Sequence, residues 1–207
     1  MPSDLRGWRQ QAVVGLMTLA GCEAQDPAQG ASRMQLVESN LGEDAVDTEI
    51  AQKIAAVTKM LTALDSSVDR DEAARAARIA VQEPLIWARD WRVEDPPLLH
   101  NFKVVNGLRD KGVCQDFADA MHAALSAEGF QTLQIHRAVG NLRSPLLEHA
   151  TVILSARGQS MEQGVILDPW RIGQGQLWFS RVTEDKKYDW ETLESARAWR
   201  TQGLGGS

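Results

Sequence analysis

The hydrophobic period of the chain changes once, at Gly129, and that change limits the folds open to it. Before Gly129 apolar residues recur at helical spacing; after it they alternate. Residues 45–65 place Ile50, Ile54, Val57, Met60 and Leu61 on one face of a helix. Residues 71–91 predict a second helix, kinked or restarted near Pro84. Asp95-Pro96-Pro97 signals a start, and residues 98–108 read as a short helix ending near Gly107. After a turn over 109–113, Cys114 opens a helix with a buried stripe of Ala118, Met121 and Leu125, closed by Glu128-Gly129. Residues 132–139, 149–156 and 164–168 then read as strands, 176–182 as a fourth, and Asp189 to Arg200 as a closing helix. N-terminal helices followed by an antiparallel meander make the expected class α+β.

The first residues obey a different logic. Arg6 and Arg9 lie in residues 1–11, a short apolar run (AVVGLMTLA, 12–20) follows, and Gly21-Cys22 closes it. Basic, then apolar, then small residues is the order of a secretory signal, and the run is too short for a stable membrane span. Leu19-Ala20-Gly21-Cys22 resembles the lipobox of bacterial lipoproteins, which implies cleavage before Cys22 and a lipid on its thiol. The expected division is a signal peptide at 1–21, a polar tether at 22–44 and one domain at 45–207. Glu23 after the cysteine leans toward the outer membrane, so the expected place is the periplasm-facing cell envelope. A net charge of -6 with acids and bases interspersed argues against nucleic acid as the main partner.

Cys22 and Cys114 are the only cysteines. With Cys22 lipidated, Cys114 has no partner for an intramolecular disulfide. No CxxC or HxxxH exists to suggest zinc. A packing thiol and a nucleophile remain. The mouth of a helix suits either: its free N–H groups and dipole favour a thiolate, and a thiol also packs well there.

Two further residues fall into place around the thiol. Glu148-His149 begins the strand ATVIL, and Asp168 ends the strand VILD. A hairpin turning on Arg157-Gly158-Gln159-Ser160 sets His149 directly opposite Asp168, with Cβ atoms about 4.5–5.5 Å apart. A carboxylate there fixes the imidazole tautomer and leaves the other ring nitrogen to face the thiol. The predicted site is Cys114, His149 and Asp168.

G-x-C-x-x-F-A, then E-H-A-x-V, then L-D-P-W resembles the transglutaminase-like cysteine hydrolases, a branch of the papain-like fold. The likeness covers residues 96–172. It implies Cys114 as nucleophile, His149 as general base and acid, and Asp168 as the orienting carboxylate. It further implies a peptidase or amidase acting through a thioester on a protein or peptide substrate, with a cell-envelope protein as one candidate. No metal or organic cofactor is implied. A protein-crosslinking acyl transferase and a catalytically inactive binding or scaffolding lipoprotein are the competing expectations, with a cell-wall amidase as a third.

The remaining polar residues divide by chemistry. An oxyanion needs donors; the Cys114 N–H is one candidate, and the amides of Asn101 and Asn106 are others. His100, Asp116 and His136 are expected to be structural. His122, about 12 Å along the helix from Cys114, is too far for proton transfer. Seven tryptophans against one tyrosine leave indoles for a core or a cleft, with Trp170 expected beside His149 or walling the cleft.

Overall fold

A computed structural model of the chain describes residues 27–144 and 148–204, with side chains from 45 to 144 and 148 to 201. The expected signal peptide and Cys22 lie outside the described residues. The chain divides into two compact units, Met1–Glu43 and Asp44–Ser207. Among the described residues no helix is long and apolar enough to cross a membrane.

Among the described residues, five α-helices and five strands make the α+β class plain. The helix expected over 45–65 is part of α1 (Pro27–Thr62), which begins well upstream. Much of the segment expected as a polar tether is therefore helical backbone. Its alanine, glutamine, leucine and glutamate are good helix formers, and polarity forecasts exposure rather than conformation. Helix α2 (Arg70–Asp90) starts at Asp69, whose carboxylate accepts from the Asp71 and Glu72 N–H groups at 2.9 Å each. It runs as one helix through Pro84, so of the expected kink or restart there the restart does not occur. Ala73, Ala76, Ala77 and Ala80 are fully buried on it, so its backbone lies close to its neighbours. Helix α3 (Pro97–Val105) opens with proline in its first turn. Helix α4 (Cys114–Ala127) buries Phe117 in addition to the expected Ala118, Met121 and Leu125.

The strands are β1 (Leu133–Gly140), β2 (His149–Ala156), β3 (Val165–Asp168), β4 (Trp178–Arg181) and β5 (Trp190–Thr192). They form one antiparallel sheet in the order β4-β3-β2-β1-β5. The first four are the expected meander. β5 lies where the closing helix was expected to begin; that helix is α5 (Leu193–Leu204). Three residues are too few to show a period of two, and their strand character comes from pairing with β1.

Every residue of β2 is buried. Val152 and Leu154 join Leu133, Val165 and Leu167 in the main core, against Val57, Leu61, Met121, Leu125 and the α2 alanines. Ile153 joins Ala138, Met161 and Ile166 in a second cluster, with Trp178, Val182 and Trp190 against it. Burial of each such aliphatic side chain stabilises the fold by about 1.5–3 kcal/mol. The central strand that begins with His149 is thus clamped from both faces.

The β2–β3 register differs from the expected hairpin. Val152 pairs with Leu167, Ile153 with Ile166 and Leu154 with Val165, a slip of two residues. A short 3-10 turn at Met161–Gln163 follows the loop and moves the reversal point along the chain. Since side chains alternate with a period of two, such a slip preserves the face. His149 and Asp168 are diagonal neighbours rather than direct opposites.

Candidate active site

Cys114 is the first residue of α4, and three separate contacts fix the loop that delivers it. Asp116 Oδ2 accepts from the Gly112 N–H at 2.8 Å and the Val113 N–H at 3.1 Å. The His100 Nε2–H, fully buried on α3, donates to the Lys111 carbonyl at 2.9 Å. Gly112 has φ +116, and a Cβ there would collide with His100 Nε2 and lie 2.6 Å from Val93 Cγ2. Both the backbone angle and the space demand glycine. On the sheet side Arg137 donates to Asp119 Oδ1 at 2.8 Å and to the Thr151 carbonyl at 3.2 Å. It ties the start of α4 to β1 and β2. His100 and Asp116 are structural, as expected. Cys114 is a free, half-buried thiol.

His149 is almost fully buried at the start of β2. Its Nε2–H donates to Asp168 Oδ2 at 2.7 Å. Nδ1 has no hydrogen-bond partner of regular geometry among the described residues. The ring is boxed by aromatic neighbours, with centroids 4.9 Å from Trp170, 4.8 Å from Tyr188 and 5.8 Å from Trp190. Burial pushes the imidazole pKa down, but the Asp168 hydrogen bond and the nearby Cys114 thiol outweigh it and raise it to about 9. Cys114 is thus close enough to favour the imidazolium, although no well-formed hydrogen bond joins it to Nδ1.

Asp168 is fully buried at the end of β3. Its Oδ1 accepts from the backbone N–H groups of Trp170 (3.2 Å) and Arg171 (3.1 Å). Its Oδ2 accepts from Arg171 Nε at 3.0 Å as well as from His149. Arg171 also reaches Asp185, with Nη2 2.7 Å from Oδ2. Sequence reasoning missed Arg171, Asp185 and Tyr188. An arginine three residues past a strand carries no local mark of burial, so only its packing identifies it.

The other candidates have definite places. The Asn101 Oδ1 accepts from Trp170 Nε1 at 3.2 Å, which sets the amide beside the indole that flanks His149. The Asn106 Nδ2–H donates to the Phe102 carbonyl at 2.7 Å, committing it to the end of its own helix. His136 Nε2 meets Ser155 Oγ at 2.7 Å, and burial lowers its pKa. Glu148 pairs with Arg200 at 2.5 Å.

A cleft of about 560 Å³ is lined by Asn101, Glu148, Trp170, Arg171, Lys187 and Tyr188, among others. Cys114 and His149 do not line it, but Trp170 and Tyr188, which flank the imidazole, do. Trp170 lies beside His149, walls this cleft and also packs against the core cluster of Ala88, Val93 and Phe117, the alternative expected for it. Among the described residues no three of His, Cys, Asp or Glu are arranged to hold a metal ion. Chemically, the arrangement offers a thiol at a helix mouth, a protonated imidazole beside it and a carboxylate that fixes the imidazole. No protein-family model matches the chain, and no curated protein or solved structure matches it.

Proposed function

We propose that this chain is a cysteine hydrolase that cleaves an amide bond through a thioester, on a transglutaminase-like, papain-like core. The observation that carries the reading is the state of His149. Its Nε2 is held by Asp168, its Nδ1 has no other hydrogen-bond partner, and Cys114 acts on the ring from the mouth of α4. Cys114 attacks the carbonyl carbon of the substrate as a thiolate. The imidazolium of His149 gives its proton to the leaving amine, and the acyl group stays on sulfur. His149, now neutral, takes a proton from water, and the hydroxide releases the acid and regenerates the thiolate. The N–H groups of the first turn of α4, which lack partners inside the helix, face the developing oxyanion, with the Asn101 amide as a further donor. The substrate in this reading is a protein or peptide, and no cofactor takes part.

The test is labelling of the native protein with a thiol-reactive amide probe, wild type against Cys114→Ala. Labelling of wild type alone, slowed by His149→Ala, is the expected result. A thiol that reacts only after unfolding overturns the reading. The order of basic, apolar and small residues before Cys22 supports a lipid anchor at that cysteine, facing the periplasm. Unchanged mass and membrane fractionation in Cys22→Ser would refute the anchor.

A further inference from the structure

Asp168 meets two cations, and both bind one of its oxygens. His149 Nε2 lies 2.7 Å from Oδ2 and Arg171 Nε lies 3.0 Å from it. We propose that Arg171 is a positioning residue of the site that acts through Asp168, offsetting part of the negative charge that the imidazole feels. The inference rests on the Cys114–His149–Asp168 reading above.

The guanidinium has little freedom to do otherwise. Its Nη1 and Nη2 fork onto Asp185 at 3.2 and 2.7 Å. Its Cζ lies 3.5 Å from the Trp178 ring centroid and 4.8 Å from that of Tyr188. Asp185 is fixed in turn by the Trp190 Nε1–H and the Lys187 N–H, each at 2.9 Å. The Arg171 side chain is 7% exposed and that of Asp185 3%, so solvent screens this pair far less than a surface pair. Charge alternates from Asp185 through Arg171, Asp168 and His149 to the Cys114 thiolate of the proposed mechanism. An arginine needed only to neutralise Asp185 has no reason to contact the oxygen that His149 uses.

The consequence follows from Coulomb's law. The titratable groups facing His149 are Asp168 from β3, Cys114 from α4 and Tyr188 from the segment before β5, with Arg171 sharing Asp168 Oδ2 with the imidazole. A guanidinium on the same carboxylate oxygen opposes the imidazolium. Its removal leaves Asp168 with one cation, and the imidazolium becomes more stable. The carboxylate keeps its orientation in that event, because the backbone N–H groups on Oδ1 survive any substitution of the Arg171 side chain.

The experiment is an NMR titration of the His149 ring in wild type, Arg171→Met and Arg171→Lys, beside the pH profile of Cys114 alkylation. Methionine keeps an unbranched stem between the two rings without charge; lysine keeps the charge without the fork. In Arg171→Met the His149 pKa should rise by about one unit, with the ion-paired thiolate persisting to correspondingly higher pH. Arg171→Lys should return most of that shift. An unchanged or lowered His149 titration in folded Arg171→Met overturns the proposal. Should Arg171→Met fail to fold, Asp185→Asn decides: it leaves more of the guanidinium charge facing Asp168, so a downward His149 shift supports the proposal, and no shift or an upward one overturns it. Alkylation indifferent to His149→Ala would end the nucleophile reading instead, while the His149 titration stays readable, so the two failures are distinct.

Discussion

At His149, burial and pairing pull one proton in opposite directions. Burial favours the neutral ring, while Asp168 and Cys114 favour the charged one and carry its pKa from 6.5 to about 9. Between those values the folded chain holds a proton that the unfolded chain releases, so stability falls as pH rises. The contribution is complete below 6.5 and is lost as pH passes through about 9. Urea unfolding followed from about pH 6 to pH 10 should show this loss in wild type, and a flatter profile in His149→Gln. Identical slopes for the two proteins would mean that the imidazolium is not the form that folding selects. Much of this residue's chemistry was legible in the chain, since a histidine at a strand start and an aspartate at a strand end are local facts. Its aromatic box was not, because Tyr188 and Trp190 come from a segment about forty residues away, and no local pattern announces such a contact.

Among the elements, α4 depends most on the turn that leads into it. Gly112, with φ +116, lies where a side chain would strike His100 and Val93. Gly112→Ala therefore combines backbone strain with collision and should destabilise the protein by about 1–3 kcal/mol. It should also move Cys114, which is two residues on, relative to His149. We expect alkylation of Cys114 in the folded variant to slow at temperatures well below its melting point. Thermal unfolding and labelling rate, measured together, check this; a stability loss with wild-type labelling would show that the turn only supports the fold. The β2–β3 hairpin gives a second case. The two-residue period of a strand keeps His149 and Asp168 on one face despite the slip. The two-residue register slip was hidden, because a 3-10 turn at Met161–Gln163 has no alternation of its own.

For the unit Asp44–Ser207 as a whole, Glu72 joins the helices to the sheet. Its carboxylate accepts from the Gln131 N–H at 2.6 Å, the Thr132 N–H at 2.8 Å and the Thr132 hydroxyl at 2.6 Å. Glu72 is 7% exposed, so little water can replace it. Glu72→Ala orphans three donors at the entry to β1 and should cost about 3 kcal/mol or more in urea unfolding. Cys114 labelling in the folded variant should match wild type, since this junction lies at the opposite end of β1 and β2 from Gly140 and His149. Slower labelling in a folded Glu72→Ala would instead couple the junction to the site. The sequence alone determined what is local: the change of period at Gly129, hence helices before strands, and a thiol, an imidazole and a carboxylate each at the end of an element. Tertiary structure decided which ends meet and what surrounds them. The absolute strand register, the conversion of Trp190–Thr192 into an edge strand and the burial of Arg171 between Asp168 and Asp185 all depend on partners far away in the chain. Periodicity records which face of an element is apolar, whereas a contact between elements depends on loop geometry and packing, which leave no repeating mark in the chain.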